Sequence, residues 1–184
     1  MILDDPLLRR QYGFLDYERL LELMEAERFS TTIAFIPWNY RRSARRTAEL
    51  FQKCPQRYSL CVHGCDHTAG EFGSAHLGLL QDLARRSLWR MEKHRERSGI
   101  GFADVMVFPQ GRFSTVAMKA LKECGYLAAV NSTPYPVDLN GGGLALRDLV
   151  EGAVMVFSGF PLFVRRYPAD LAGLAFDLFL GRPA

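Results

Sequence analysis

The chain has 184 residues, 48% of them hydrophobic and 23% charged, so we expect one globular domain over 1–184 rather than a disordered chain. Its net charge is only +3 and no nucleic-acid-binding motif accompanies its arginine-rich runs, so we expect no nucleic-acid partner. The spacing of its four cysteines argues against a disulfide framework, and no apolar run reaches the ~18 residues of a membrane span.

Strand and helix patterns alternate along the chain. Apolar runs that end at Gly, Pro or polar residues predict strands at 1–3, 31–37, 58–64, 126–132 and, as one or two strands, 153–166, and 104–111 is predicted to be a strand followed by a turn. Amphipathic spacing predicts helices at 17–28, 43–54, 76–97, 114–125 and 169–180, and 133–143 is predicted to be a loop. Ser43 and Ser114 are the expected N-caps of their helices. This alternation predicts parallel strands with crossover helices, and hence an α/β fold that is either an open sheet or a barrel.

Polar side chains follow the predicted strands where each strand ends. They are Asp4 and Asp5, then Trp38 and Asn39, then His63, Asp66 and His67, then Pro109, Gln110 and Gly111, and finally Asn131 and Ser132. In open and closed α/β folds the ligand-binding groups gather at the carboxyl ends of the strands. We therefore expect all these residues to lie on one rim of the molecule.

One carboxylate and two imidazoles on that rim suggest a metal site. Asp5, His63 and His67 would supply three protein ligands and leave a position open for water, as catalytic zinc sites often do. The neighbouring Asp4 could then accept a proton from that water. The sequence thus predicts a divalent cation as cofactor, with zinc the best match.

A rival set of ligands uses the cysteines of the same segment. Cys61, His63, Cys65 and His67 alternate and could line one face of a strand. On an extended strand they would span ~20 Å, so they could converge on one ion only after a sharp bend. Cys61 is expected instead to be a small buried hydrophobic residue, and the thiols are expected to be free.

The segments "ILDDP", "HGCDH" and "FPQG", in this order at successive strand ends, resemble the motifs of the polysaccharide deacetylases, the family-four carbohydrate esterases. The resemblance runs from about residue 2 to about residue 112. The spacing from His63 to Phe72 is similar to that of a divergent deacetylase-like branch. The resemblance implies an irregular (β/α) barrel, here expected to lack its last strand or strands.

The resemblance also implies roles for individual residues. Asp4 would be the catalytic base, Asp5 a metal ligand, and His63 and His67 the metal-binding histidine pair. "FPQG" would supply a backbone N–H to an oxyanion, at Gln110 or Gly111.

Two elements of the family pattern have no direct match. The third-motif arginine, which orients the catalytic aspartate, falls at Val107, and Arg112 is the candidate replacement. The late histidine that acts as general acid has no counterpart, since the last histidine is His94.

The function expected from these observations is metal-dependent hydrolysis of a carbon–nitrogen bond, the de-N-acetylation of an N-acetylated sugar or polysaccharide. The alternative is a catalytically impaired deacetylase-like protein that binds metal or glycan, and an ester or cyclic amide substrate also stays open. Trp38, Phe72 and Pro109, together with Tyr135, are the candidate substrate-binding residues. No signal peptide precedes the first strand, so the sequence as given indicates a cytoplasmic protein.

Overall fold

A computed structural model describes residues 1–139 and 154–165, which form an α/β fold around one mostly parallel sheet. The strands are β1 (Ile2–Asp4), β2 (Gln11–Tyr12), β3 (Leu15–Asp16), β4 (Thr31–Phe35), β5 (Tyr58–His63), β6 (Ala103–Val107), β7 (Ala128–Asn131), β8 (Val154–Phe157) and β9 (Phe160–Val164). The helices are α1 (Tyr17–Ala26), α2 (Arg45–Lys53), α3 (Leu77–Ser98) and α4 (Thr115–Glu123). Short 3-10 helices, Pro37–Asn39 and Pro109–Gly111, follow β4 and β6.

Seven strands form the main sheet in the order β1-β4-β5-β6-β7-β9-β8. Every pair in it is parallel except β8 and β9, which form an antiparallel hairpin. The carboxyl ends of β1, β4, β5, β6, β7 and β9 therefore meet at one rim, as the alternation predicts. The small β2–β3 hairpin forms a separate sheet beyond β1.

The sheet is strongly curved. Arg165, directly after β9, forms two hydrogen bonds with Asp4 at the end of β1. In the sheet order β1 and β9 are separated by four strands, which at about 4.8 Å per step would put them ~24 Å apart in a flat sheet. One arginine side chain cannot cover that distance, so the sheet must curl towards a barrel.

The concave face of the sheet carries small side chains. Ala34, Cys61, Val107 and Val130, from four adjacent parallel strands, form a buried cluster of their own. Small residues allow the strands to curve closely around the interior. The expectation that Cys61 is a small buried residue is confirmed, and its burial raises the pKa of its thiol to about 12.

The larger core lies between the sheet and the helices, and α3 carries three polar residues within it. Its buried side chains recur at helical spacing: Leu80, Leu83, Ala84, Ser87, Arg90, Met91 and His94. The helix ends at Gly99, whose left-handed φ of 69° is the conformation of a C-terminal cap.

The predicted elements within the described residues are confirmed, including the cap of α4, where Ser114 Oγ accepts from Ala117 N at 3.0 Å. The cap assigned to Ser43 is wrong. Helix α2 begins after Ala44 without a side-chain cap, because the Ser43 hydroxyl is engaged with His94 Nε2 at 2.7 Å.

The predicted helix 169–180 and the end of the predicted loop, 140–143, lie outside the described residues. The four cysteines are free, as expected. Within the described ranges, no helix is both long and apolar enough to cross a membrane.

Candidate functional site

Three potential metal ligands converge on the rim, where β1 and β5 end. One ligand atom from each of Asp5, His63 and His67 lies within 4.8 Å of the other two. Asp5 Oδ1 is 2.7 Å from His63 Nε2 and 3.1 Å from His67 Nε2. The structure therefore brings together the three residues that the sequence singles out as a metal set.

His63 is held in one orientation by the sheet. It is the last residue of β5, is 2% exposed, and its Nδ1 lies 2.9 Å from the carbonyl oxygen of Val107 on the neighbouring strand. Because a carbonyl oxygen can only accept, Nδ1–H is the donor in that hydrogen bond, and the ring turns Nε2 towards Asp5. A histidine whose second nitrogen is held by a carbonyl is the usual arrangement of a metal ligand. An irregularity in the β5–β6 register, between Cys61 and Val62, directly precedes it.

The other two members of the set lie in unusual backbone conformations. Asp5 has φ 71° and His67 has φ 59°, both in the left-handed region that non-glycine residues rarely occupy. Such conformations occur preferentially at functional sites, where the surroundings hold them in place. Here they direct both side chains towards His63.

The donor set fits a divalent cation. Asp5 Oδ1 is buried, and within the described part of the chain it has no partner in hydrogen-bond geometry, although both imidazoles are close. Contact with His63 lowers the pKa of Asp5 despite partial burial, and the charges of His63, His67 and Arg165 lower it further. An ionised carboxylate facing two imidazole nitrogens is a borderline-metal site of the kind that zinc prefers.

The rival cysteine set is not assembled. Among the described residues the only group with metal-ligand spacing is that of Asp5 and the two histidines. Cys61 lies in the inner cluster, and Cys65 accepts a hydrogen bond from Arg90 Nη1 at 3.3 Å. Burial raises the pKa of both thiols, which disfavours the thiolate that a metal requires.

The second carboxylate of the pair, Asp4, faces a different partner. Arg165 Nη1 donates to Asp4 Oδ1 at 2.7 Å, and Nη2 donates to Oδ2, so the pair is bidentate. The candidate that the sequence offered for this partnership was Arg112, but in the structure Arg165 pairs with Asp4, while Arg112 is exposed and hydrogen-bonds through its backbone within the turn. The signal for Arg165 is a basic pair directly after the last predicted strand of the chain.

The "FPQG" turn follows β6 on the same rim. The N–H groups of Gly111 and Arg112 donate to backbone carbonyls of the turn, whereas no oxygen of the described residues accepts from the Gln110 N–H. Gln110 has a left-handed φ of 52°, and its side chain accepts from Gly70 N at 3.2 Å. Asn131, fully buried at the end of β7, donates to Gly111 O at 2.9 Å and so holds the turn on the sheet.

The candidate substrate-binding residues separate into two groups. Trp38 and Tyr135 are exposed beyond the ends of β4 and β7. One face of Trp38 lies over the guanidinium of Arg90 at 4.9 Å. Phe72 is fully buried, with its ring 5.8 Å from that of Phe108, so its assignment to substrate contact is corrected to a place in the core. Pro109 is also buried, and it packs beneath the loop that carries the histidines.

Known structures share this architecture. The chain is similar to the Streptococcus pyogenes deacetylase PplD in complex with acetate, with a TM-score of 0.57 and 13% identity over 91% of this chain. It is also similar to IcaB from Ammonifex degensii, with a TM-score of 0.57 and 12% identity over 95% of this chain. The chain spans 63% of the PplD chain and 70% of the IcaB chain.

Neither protein-family models nor curated proteins match the chain. Identities this low bear on the fold alone. For the fold, the comparisons confirm the resemblance drawn from the motifs. They also confirm the expected polysaccharide-deacetylase type of (β/α) barrel.

Proposed function

We propose that this chain, which has the polysaccharide-deacetylase fold, is a metal-dependent hydrolase that removes the acetyl group from an N-acetylated sugar or polysaccharide. The observation that carries the proposal is that two adjacent aspartates at the end of β1 have different partners. Asp5 joins two histidines within ligand distance, while Asp4 beside it is held apart by an arginine. A binding module has no need of the second, separately held carboxylate.

Asp5, His63 and His67 are the residues that would hold the metal. A zinc ion bound there supplies Lewis acidity towards the amide carbonyl and lowers the pKa of water, as in other zinc hydrolases. The contact of His63 Nδ1 with Val107 O keeps its Nε2 available for this purpose.

Asp4 is the proposed general base. Its carboxylate would take the proton of the attacking water, and its bidentate pairing with Arg165 fixes the orientation of both oxygens. Two parallel hydrogen bonds from a guanidinium are stronger and more directional than a single ion pair. Arg165 would therefore act as a positioning residue for the base.

The backbone N–H of Gln110 is the proposed donor to the oxyanion that forms when water adds to the acetyl carbonyl. It is the member of the turn whose N–H has no acceptor among the described residues, whereas those of Gly111 and Arg112 are occupied. A preorganised donor of this kind contributes about 3–4 kcal/mol to transition-state stabilisation in well-studied hydrolases.

Trp38 is the proposed surface for a sugar ring. Its indole is held on one face by Arg90, and its backbone N–H donates to Cys65 O at 3.1 Å, next to the metal loop. About half of the side chain is exposed, which leaves room for stacking against a pyranose.

A second candidate function, metal or glycan binding without turnover, is favoured by the positions of the remaining histidines. The chain has four, and two of them form the metal set. His94 is buried between α2 and α3, and His76 is exposed at the start of α3, so neither stands beside Asp4 as a proton donor for the leaving amine. A well-placed general acid contributes roughly 10²–10⁴ in rate.

The two functions are separated by measuring acetate release from N-acetylated chitooligosaccharides together with metal content. Asp4→Asn should lower the rate by about 10²–10⁴ with metal content unchanged, and Asp5→Asn should lower both. Asp82→Asn, an exposed aspartate of α3, is the matched control and should change neither.

Metal binding without acetate release in the unmodified chain would favour the binding function. Loss of metal in Asp4→Asn, but not in Asp5→Asn, would reverse the roles of the two aspartates.

A further inference from the structure

The metal ligand His67 needs a support that no helix or strand provides. It lies in the loop between β5 and α3, with φ 59°, and its side chain is 27% exposed. A non-glycine residue in the left-handed region costs of order 1–3 kcal/mol and persists only where its surroundings impose the conformation. The residues that impose it on His67 therefore contribute to the site.

The carboxylate of Glu71 is the centre of this loop. Its Oε1 accepts from Cys65 N at 2.7 Å and from His67 N at 3.3 Å, and its Oε2 accepts from Asp66 N at 3.1 Å. The hydroxyl of Thr68 also donates to Oε2, at 3.4 Å. Three consecutive backbone N–H groups thus point at one side chain, which fixes the path of the chain through His67.

Gly64 leaves the space that this carboxylate occupies. A Cβ at position 64 would overlap Glu71 Oε1 and Pro109 Cγ, and φ there is 62°. A larger residue at position 64 would therefore displace the carboxylate as well as strain the backbone. Gly64 and Glu71 together therefore shape the loop that carries His67.

The loop that Gly64 and Glu71 shape is attached to the protein core on both sides. Phe72, next to Glu71, is fully buried, and its carbonyl accepts from Ser114 N at 2.9 Å. On the other side of the loop, Arg90 donates to Cys65 O at 3.2 Å and to the carboxylate of Asp66. Because both anchors belong to the protein core, the loop can be ordered before any metal binds.

We propose that Glu71 is a positioning residue that presets His67 for metal binding. The inference rests on the proposed metal function, which it deepens by assigning the residue that organises the ligand loop. Replacing the carboxylate by an amide removes one of its two acceptor oxygens, so the side chain can no longer accept from all three N–H groups and His67 can leave the direction of Asp5. Outer-shell changes of this kind typically cost 10–100-fold in metal affinity.

The test compares Glu71→Gln with Glu49→Gln, a partly exposed glutamate of α2 whose ion-pair partner among the described residues is Arg45. Zn²⁺ affinity is measured by chelator competition, and the visible spectrum of the Co²⁺-loaded protein reports coordination geometry. Glu71→Gln should bind Zn²⁺ about 10–100-fold more weakly with an altered Co²⁺ spectrum, while Glu49→Gln matches the unmodified chain. Gly64→Ala should resemble Glu71→Gln, and the double variant should be no weaker than the worse single one.

Affinity and spectrum unchanged in Glu71→Gln would overturn the role of Glu71 while leaving the metal site in place. Failure of the unmodified chain to bind either metal would overturn the proposed function, and this inference with it. Circular dichroism of each variant excludes global unfolding as the cause of weakened binding. If Glu71→Gln does not fold, Glu71→Asp, which cannot reach all three N–H groups, should show the same loss.

Discussion

Two adjacent carboxylates at the end of β1 lie in different electrostatic surroundings. Asp4 ends the strand and faces the guanidinium of Arg165, whereas Asp5 adopts φ 71° and faces two imidazoles. The turn of the backbone between them sends neighbouring side chains to different partners. This difference in partners is the physical basis for assigning one to proton transfer and the other to the metal.

Replacing Arg165 by Met should disturb the orientation of the Asp4 carboxylate without affecting metal binding. Asp4 would lose both hydrogen bonds that fix its carboxylate, and misplacement of a catalytic group by about 1 Å can cost roughly 10²-fold in rate. Acetate release should fall by about that factor, while Zn²⁺ content stays at the level of the unmodified chain. Arg112→Met is the matched control. Activity lost in Arg112→Met but kept in Arg165→Met would restore the assignment made from the sequence.

The placement of the three candidate ligands could be predicted from the sequence because it needs only the rule that parallel strands end at one rim. The position of Arg165 could not, since the run 153–166 hides a two-strand hairpin whose second strand returns parallel to β7. Phe72 was misassigned because an aromatic residue next to a polar motif can belong to the rim or to the core. Phe72 lies in the core because its ring packs against that of Phe108, and sequence spacing does not reveal this contact.

Helix α3 supports the site through polar residues on its buried face. Arg90 hydrogen-bonds the loop that carries His67, and His94, one turn further along the helix, bonds Ser43 and lies 4.6 Å from the ring of Phe35. Burial lowers the pKa of His94 to about 4, with a smaller contribution from the charge of Arg97. His94 is therefore neutral in the folded protein at pH 7.

The free energy of unfolding should depend on His94 between pH 6.5 and 4. In that range the unfolded chain binds the proton and the folded chain does not, so stability falls as the pH drops from 6.5 and the loss is complete near 4. The full effect is about 3 kcal/mol. In urea denaturation, the free energy of unfolding of His94→Gln should fall by about 3 kcal/mol less between pH 6.5 and 4 than that of the unmodified chain, and His76→Gln should follow the unmodified chain. Equal slopes for all three proteins would refute the burial of a neutral His94.

The main helices and strands could be predicted because each has a clear periodicity and a defined end. The β2–β3 hairpin could not, since strands of two residues are too short to alternate. Ser43 illustrates a different difficulty. Its position suits an N-cap, but its hydroxyl hydrogen-bonds His94, 51 residues away in the sequence, instead of the backbone of α2.

Curvature of the whole sheet assembles the site from distant segments. The ligands come from the ends of β1 and β5, and the partner of the base comes from the end of β9. Alternation of strands and helices is compatible with an open sheet and with a barrel, so the sequence pattern alone did not decide between them. The curled, barrel-like arrangement is instead indicated by two features of the structure. These are the small residues of the inner cluster and the ion pair between Asp4 and Arg165.

Metal binding and folding should therefore be linked. Asp5 and His63 are 58 positions apart, so the unfolded chain does not hold the ligands together. A ligand that binds only the folded state stabilises it by about 2.7 kcal/mol at a concentration one hundred times its Kd.

The central claim is that the folded chain presents one divalent metal site built from Asp5, His63 and His67. Calorimetric titration of chelator-treated protein with Zn²⁺ tests it most directly, with His67→Ala and His76→Ala as a matched pair of histidine variants. We predict about one equivalent of Zn²⁺ bound by the unmodified chain and by His76→Ala, and loss of most of that binding in His67→Ala. No binding by the unmodified chain, or unchanged stoichiometry and affinity in His67→Ala, would contradict the account.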